Sequence, residues 1–148
     1  MTHEWFECKI KYEKQQDNGA LKKVSEPYLV DALNFTEAER RIIEEIAPFM
    51  TGEFQVSDIK RARFGELFEA AEESADKWFK AKLIYLIIDE SKGVEKKTTQ
   101  NVLVQASDFH DALNRLVKGM ESYMGDYTIA TMQETPIMDI FRYKPAAE

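Results

Sequence analysis

Apolar and polar residues alternate at the start of the chain. Phe6, Cys8, Ile10 and Tyr12 interleave with Glu7, Lys9 and Lys11, and a period of two predicts a strand with one buried face. Residues 15–19 are polar and end in Asp17-Asn18-Gly19, a reversal suited to φ > 0. A second strand is expected over about 22–32, with Val24, Tyr28, Val30 and Ala32 on one face. Pro27 lies inside it and cannot donate a ladder hydrogen bond, which points to a sheet edge or a bulge. Then the period changes. Thr36 with Glu39 three residues on reads as an N-cap and capping box. Ala38, Ile42, Ile46 and Phe49 follow at helical spacing, and Pro48 limits the helix near Ile46. Thr51-Gly52 turns into a third strand over 53–60, with Phe54 and Val56 inward. Residues 61–68 fit either a short fourth strand or a helical turn.

The whole pattern returns 73 or 74 residues later. Trp5-Phe6, Lys9, Tyr12, Gly19, Lys22-Lys23, Leu29-Val30, Phe35, Arg41, Met50 and Gly52 are matched by Trp78-Phe79, Lys82, Tyr85, Gly93, Lys96-Lys97, Leu103-Val104, Phe109, Arg115, Met124 and Gly125. The match runs on through Phe54/Tyr127 and Val56/Ile129 to Phe68/Phe141. A repeat of this length is strong information about architecture. It predicts an α+β fold of two tandem strand-strand-helix-strand repeats, each an antiparallel sheet with one helix on one face. A right-handed crossover places the strands in the order second-first-third. The expected layout is a first repeat over 1–68, a linker over 69–77, a second repeat over 78–143 and a flexible tail at 144–148. The helices are expected to dock through Phe35, Ala38, Ile42 and Ile46 in the first repeat, and Phe109, Ala112, Leu116 and Met120 in the second.

The repeats differ at one place. In the second, Leu83, Tyr85 and Ile87 are expected inward, yet Ile84, Leu86 and Ile88 on the other side are apolar too; their counterparts are Lys11, Glu13 and Gln15. A strand apolar on both faces lies between two layers. Ile84, Leu86 and Ile88 are therefore a candidate interface, covered either by the first repeat or by a second copy in a two-fold homodimer.

Composition narrows the function classes. The longest apolar run, residues 83–88, is far short of the roughly 18 required to cross a bilayer, and the N-terminus has no secretion-signal pattern. A cytoplasmic protein without a membrane partner is expected. One cysteine, Cys8, and two histidines leave no intramolecular disulfide and no cysteine- or histidine-rich metal site. The net charge is −7, which argues against nonspecific wrapping of duplex DNA. The acidity is uneven, with ten basic against sixteen acidic residues in 1–74 and ten against eleven in 75–148.

Two constellations carry candidate binding chemistry. Trp5 with Lys9 and Lys11, and Trp78 with Lys82, share the strand parity away from the helix. An aromatic beside a cation on an open sheet can stack bases and meet phosphates of a single strand; the stronger expectation is that each tryptophan is packing, with its lysine stretched over the ring. Lys60, Arg61 and Arg63 cluster after the third strand as a phosphate grip or as a solvated strand end; the second repeat has Gln133, Glu134 and Pro136 there. Arg41 and Arg115 are expected to pair with carboxylates or helix-end carbonyls, and Lys22-Lys23 and Lys96-Lys97 to guard edge strands. There is no phosphate-binding Gly-rich loop, nucleophile elbow or metalloprotease helix, so no catalytic, cofactor or metal residue is nominated.

The stretches Trp5-Phe6-Glu7-Cys8-Lys9, Lys22-Lys23-Val24-Ser25-Glu26-Pro27-Tyr28-Leu29-Val30-Asp31-Ala32-Leu33 and Phe35-Thr36-Glu37-Ala38-Glu39 resemble an uncharacterised domain-of-unknown-function family of gut Bacteroidetes and their phages. The resemblance covers nearly the whole chain and implies a bacterial or phage-encoded protein; it assigns no site residue. The layout is also similar to a small ribosomal-protein fold, which says little about function. The expected function is a non-catalytic binding module for single-stranded nucleic acid, or alternatively a protein-interaction or self-associating unit, rather than an enzyme.

Overall fold

The computed structural model describes residues 3–143, so the expected tail at 144–148 lies outside it. β1 (Glu4–Gln15) and β2 (Leu21–Ala32) form one long antiparallel hairpin, and β5 (Lys77–Asp89) and β6 (Val94–Ala106) form its counterpart. Each reversal uses its glycine at positive φ, +85° at Gly19 and +65° at Gly93, a conformation only glycine adopts without a Cβ clash. The helices α1 (Phe35–Ile46) and α2 (Phe109–Gly119) follow, then the long strands β3 (Phe54–Ala62) and β7 (Asp126–Thr135). The expected cap at Thr36 moves two residues back. Asn34, in extended backbone, accepts from the Glu37 N–H at 2.8 Å, and Asp108 does the same for Asp111 at 2.8 Å. A cap side chain must reach the third helical amide from outside the helix, and Asn34 is the residue so placed.

The third strand of each half carries a bulge at the same place. Lys9 faces Asp58 but Ile10 faces Val56; Lys82 faces Thr131 but Leu83 faces Ile129. One extra residue in the bulged strand resets its parity. Val56 and Ile59, three apart, thus both reach the first core, and Ile129 and Met132 the second.

A fourth, short strand completes each sheet, and it comes from the other repeat. β4 (Glu66–Phe68) pairs parallel with β6, and β8 (Ile140–Phe141) pairs parallel with β2. The sheet orders are β3-β1-β2-β8 and β4-β6-β5-β7. Residues 3–63 and 136–143 therefore form one compact unit, and Phe64–Thr135 the other. The expected repeat boundaries followed the sequence match; the units follow the hydrogen bonds instead. The two docking modes agree residue by residue. Met138 N–H donates to Pro27 O at 2.9 Å and Gly65 N–H to Asn101 O at 2.8 Å. Asp31 Oδ1 accepts from the Tyr143 N–H, and Gln105 Oε1 from the Ala70 N–H at 2.9 Å. Pro27 fits this scheme: its carbonyl, and with it the side where its missing N–H would lie, faces the outer edge rather than β1.

Each unit has its own core on the helix side of its sheet. The first gathers Phe6, Cys8, Ile10, Tyr28, Val30, Ala38, Ile42 and Ile46; the second Phe79, Ala81, Leu83, Val102, Val104, Ala112, Leu116 and Met120. Fully burying such a side chain contributes about 1.5–3 kcal/mol. Phe35 and Phe109 flank these cores half-exposed and meet Phe6 and Phe79 edge-on at 4.9 and 6.4 Å.

Candidate functional site

Along β5, Phe79, Ala81 and Leu83 belong to the core, so strand alternation sends Trp78, Lys82, Ile84, Leu86 and Ile88 to the opposite face. Ile84 and Leu86 are half-buried there and Ile88 is 64% exposed. The β7 ladder ends at Leu86 and leaves the last residues of β5 bonded to β6 alone. Ile87, expected inward, is accordingly 47% exposed, and Val94 across the turn is also exposed. Ile84, Leu86 and Ile88 thus share one face towards the far end of this hairpin, and Ile87 and Val94 lie on the other.

The tryptophan–lysine pairs are unequal. Trp78 is buried, with 3% of its surface exposed, while Lys82 is exposed. Trp5 is half-buried, and the Arg142 guanidinium lies 5.5 Å from its ring centre; Lys9 and Lys11 are exposed. The basic run also divides. Lys60 lies opposite Glu7 and pairs with its carboxylate at 3.3 Å. Arg61 lies opposite Phe6, on the helix side; it pairs with Glu4 and stands over the Phe6 and Phe35 rings at 5.6 and 5.2 Å. Successive strand residues point to opposite faces, so Lys60 and Arg61 cannot grip one phosphate backbone together. Arg63 is exposed beyond the β1 ladder.

The two matched arginines do act on carboxylates. Arg41 is buried and bonds Asp31 Oδ1 at 2.6 Å, the same carboxylate that receives Tyr143. Arg115 bonds Asp111 at 2.9 Å and Glu72 at 3.1 Å. The Ser107 N–H and then Arg115 hold the Asp111 carboxyl below its ordinary range. These are structural pairs.

The tyrosines were not singled out as a site by the sequence. Tyr12 donates to Glu26 at 2.6 Å and Tyr85 to Gln100 at 2.8 Å, at matched positions. Burial, then the Glu26 hydrogen bond, pushes Tyr12 up to about 12. Burial likewise raises Tyr28 to about 12. Near Tyr12 a cleft of about 900 Å³ opens at the hairpin end of the first unit, with Lys11, Glu13, Leu21, Lys23 and Glu53 among its lining residues.

Burial, and then the Glu7 and Asp58 charges, push the Cys8 thiol up to about 12, so it stays protonated and is no nucleophile. Among the described residues no three His, Cys, Asp or Glu side chains converge as a metal site. No helix among them is long and apolar enough to cross a membrane.

The fold is thus a duplicated α+β unit with exchanged outer strands. The chain belongs to the family described as a domain of unknown function, DUF4494, whose match spans residues 4–143. No curated protein and no solved structure matches it.

Proposed function

We propose that the chain is a non-catalytic binding module, cytoplasmic and bacterial or phage-encoded, that associates with a second copy of itself through the far end of the β5–β6 hairpin. The observation that carries this reading is the outward row Ile84, Leu86 and Ile88, where the first unit has Lys11, Glu13 and Gln15. An isologous contact would set each row against the other and withdraw it from water. Light scattering over a range of concentrations tests it. A dimer that dissociates on dilution, and that Ile88→Lys abolishes without loss of folding, is the expected result. A monomer at every concentration refutes self-association.

Single-stranded nucleic acid is the second reading. It is supported by Lys9 and Lys11, both exposed on the face of β1 away from the helix, and weakened by the burial of Trp78 and the Arg142 guanidinium over the ring of Trp5. Titration with a fluorescent oligonucleotide separates the two: salt-sensitive binding lost in Lys9→Glu/Lys11→Glu would restore it.

A further inference from the structure

The apolar row on β5 is flanked by opposite charges. On the face away from the helix, Leu86 stands between Lys97 of β6 and Asp126 of β7, and Ile84 between Thr99 and Thr128. All four flanking residues are exposed. Neighbouring strands lie about 4.8 Å apart, so Lys97 and Asp126, with β5 between them, are too distant to pair with each other. Among the described residues neither forms an ion pair. At the matching place in the first unit the middle residue is itself charged, Glu13 opposite Lys23. Only the second unit thus carries an apolar row with an unpaired cation on one flank and an unpaired anion on the other.

We propose that the second copy docks face to face on this row with its β5 running parallel, so that Lys97 of each copy meets Asp126 of the other. This geometry rests on the self-association proposed above. A two-fold axis along β5 sets Ile84, Leu86 and Ile88 each against its own counterpart and exchanges the β6 and β7 sides. Lys97 then lies over Asp126 on both flanks, and Thr99 over Thr128. Stacked sheets stand about 10 Å apart, a gap that a lysine and an aspartate close between them. An axis across the strand at Leu86 would set Lys97 against Lys97 and Asp126 against Asp126. Moving that axis to Ile87 faces Lys97 with Glu95, the neighbour of Ile88 on β6, but leaves Ile84 without a mate. Of the three, the parallel arrangement alone covers the whole row and pairs both charges. Lys82, exposed at the end of the row, meets its own counterpart there, and its stem lets the ammonium turn out to water.

The test is sedimentation equilibrium of the full chain, which gives the dimer dissociation constant for the parent and for Lys97→Glu, Asp126→Lys, their combination and Glu95→Lys. Each single reversal at Lys97 or Asp126 sets like charges together on both flanks and should weaken the dimer about tenfold or more at low salt. The combined variant restores opposite charges and should recover most of the affinity. Added salt should shrink these differences, and Glu95→Lys should change little. A dimer weakened by Lys97→Glu and by Glu95→Lys but indifferent to Asp126→Lys puts the axis across the strand and overturns the parallel geometry. So does a combined variant that recovers nothing. A dimer that Ile88→Lys abolishes but that ignores every charge change overturns the geometry and leaves self-association standing. A parent chain that is monomeric at every concentration removes both.

Discussion

Single residues show which side chains are held hardest. Ile42 and Leu116 sit fully buried at the same point of the two helices, so Ile42→Ala or Leu116→Ala should each cost about 2–5 kcal/mol by leaving a cavity, read from chemical denaturation. Asp31 carries two tasks: it neutralises the buried Arg41 and it receives the Tyr143 N–H. Asp31→Ala leaves the buried guanidinium only Glu45, at 3.8 Å, as a carboxylate partner and should cost about 3 kcal/mol, whereas Gln105→Ala, at the uncharged counterpart, should cost only about 0.5–1.5 kcal/mol. Ionisation gives a third expectation. Tyr12 and Tyr28 ionise near 10 when free but only at about 12 in the fold. A group raised in the folded state supports folding fully below its free value and loses that support as the pH climbs through the folded one. Stability should therefore fall between pH 10 and about 12. Circular dichroism along an alkaline titration checks this, and Tyr12→Phe/Tyr28→Phe should flatten the fall.

At the scale of elements, much was legible in the sequence because long strands and helices carry a period. The alternation from Phe6 to Tyr12, the apolar spacing from Ala38 to Ile46 and the glycine reversals are where the sequence places them. What escaped was shorter than a period or overrode it. β8 holds two residues and β4 three, too few to display alternation, and the partner of each lies in the other repeat. The bulges at Ser57 and Ala130 break the parity that a period-two reading assumes. Thr36 looked like the cap because Glu39 completes a capping box, but Asn34 is the residue in extended backbone ahead of the helix. Of the candidate site residues, strand parity separated Lys60 from Arg61, a split that adjacent basic residues already imply once the strand is known. The exchange itself has a sharp test. Phe68 lies in the first repeat of the sequence, yet a Cβ on Gly119 would stand 2.6 Å from its ring. Phe68→Ala should thus raise hydrogen exchange in β6 and α2 while leaving β1 and β2 protected.

For the whole molecule, the exchange means that neither repeat is complete as a stretch of sequence. Fragments 1–68 and 69–148 each contain a three-stranded sheet and the outer strand of the other. Separately they should expose the β2 and β6 edges and show weak protection; mixed, they should form a one-to-one complex with native protection of Leu29 and Leu103. Joining residues 1–63 directly to 136–143 should instead yield a first unit that folds alone. Two folded fragments that ignore each other would refute the account.

The same connectivity imposes an order on synthesis. β6 receives β4, which has already been made, so the second sheet can close as its own strands emerge. β2 ends at Ala32, but its neighbour β8 is not made until residue 141. At about 5–20 residues per second, the Pro27–Val30 edge waits roughly 5–20 s for its strand. A nascent edge is a template for other chains, and Pro27, with no N–H to offer on that side, removes one donor from the template and leaves the Leu29 N–H and its own carbonyl to wait.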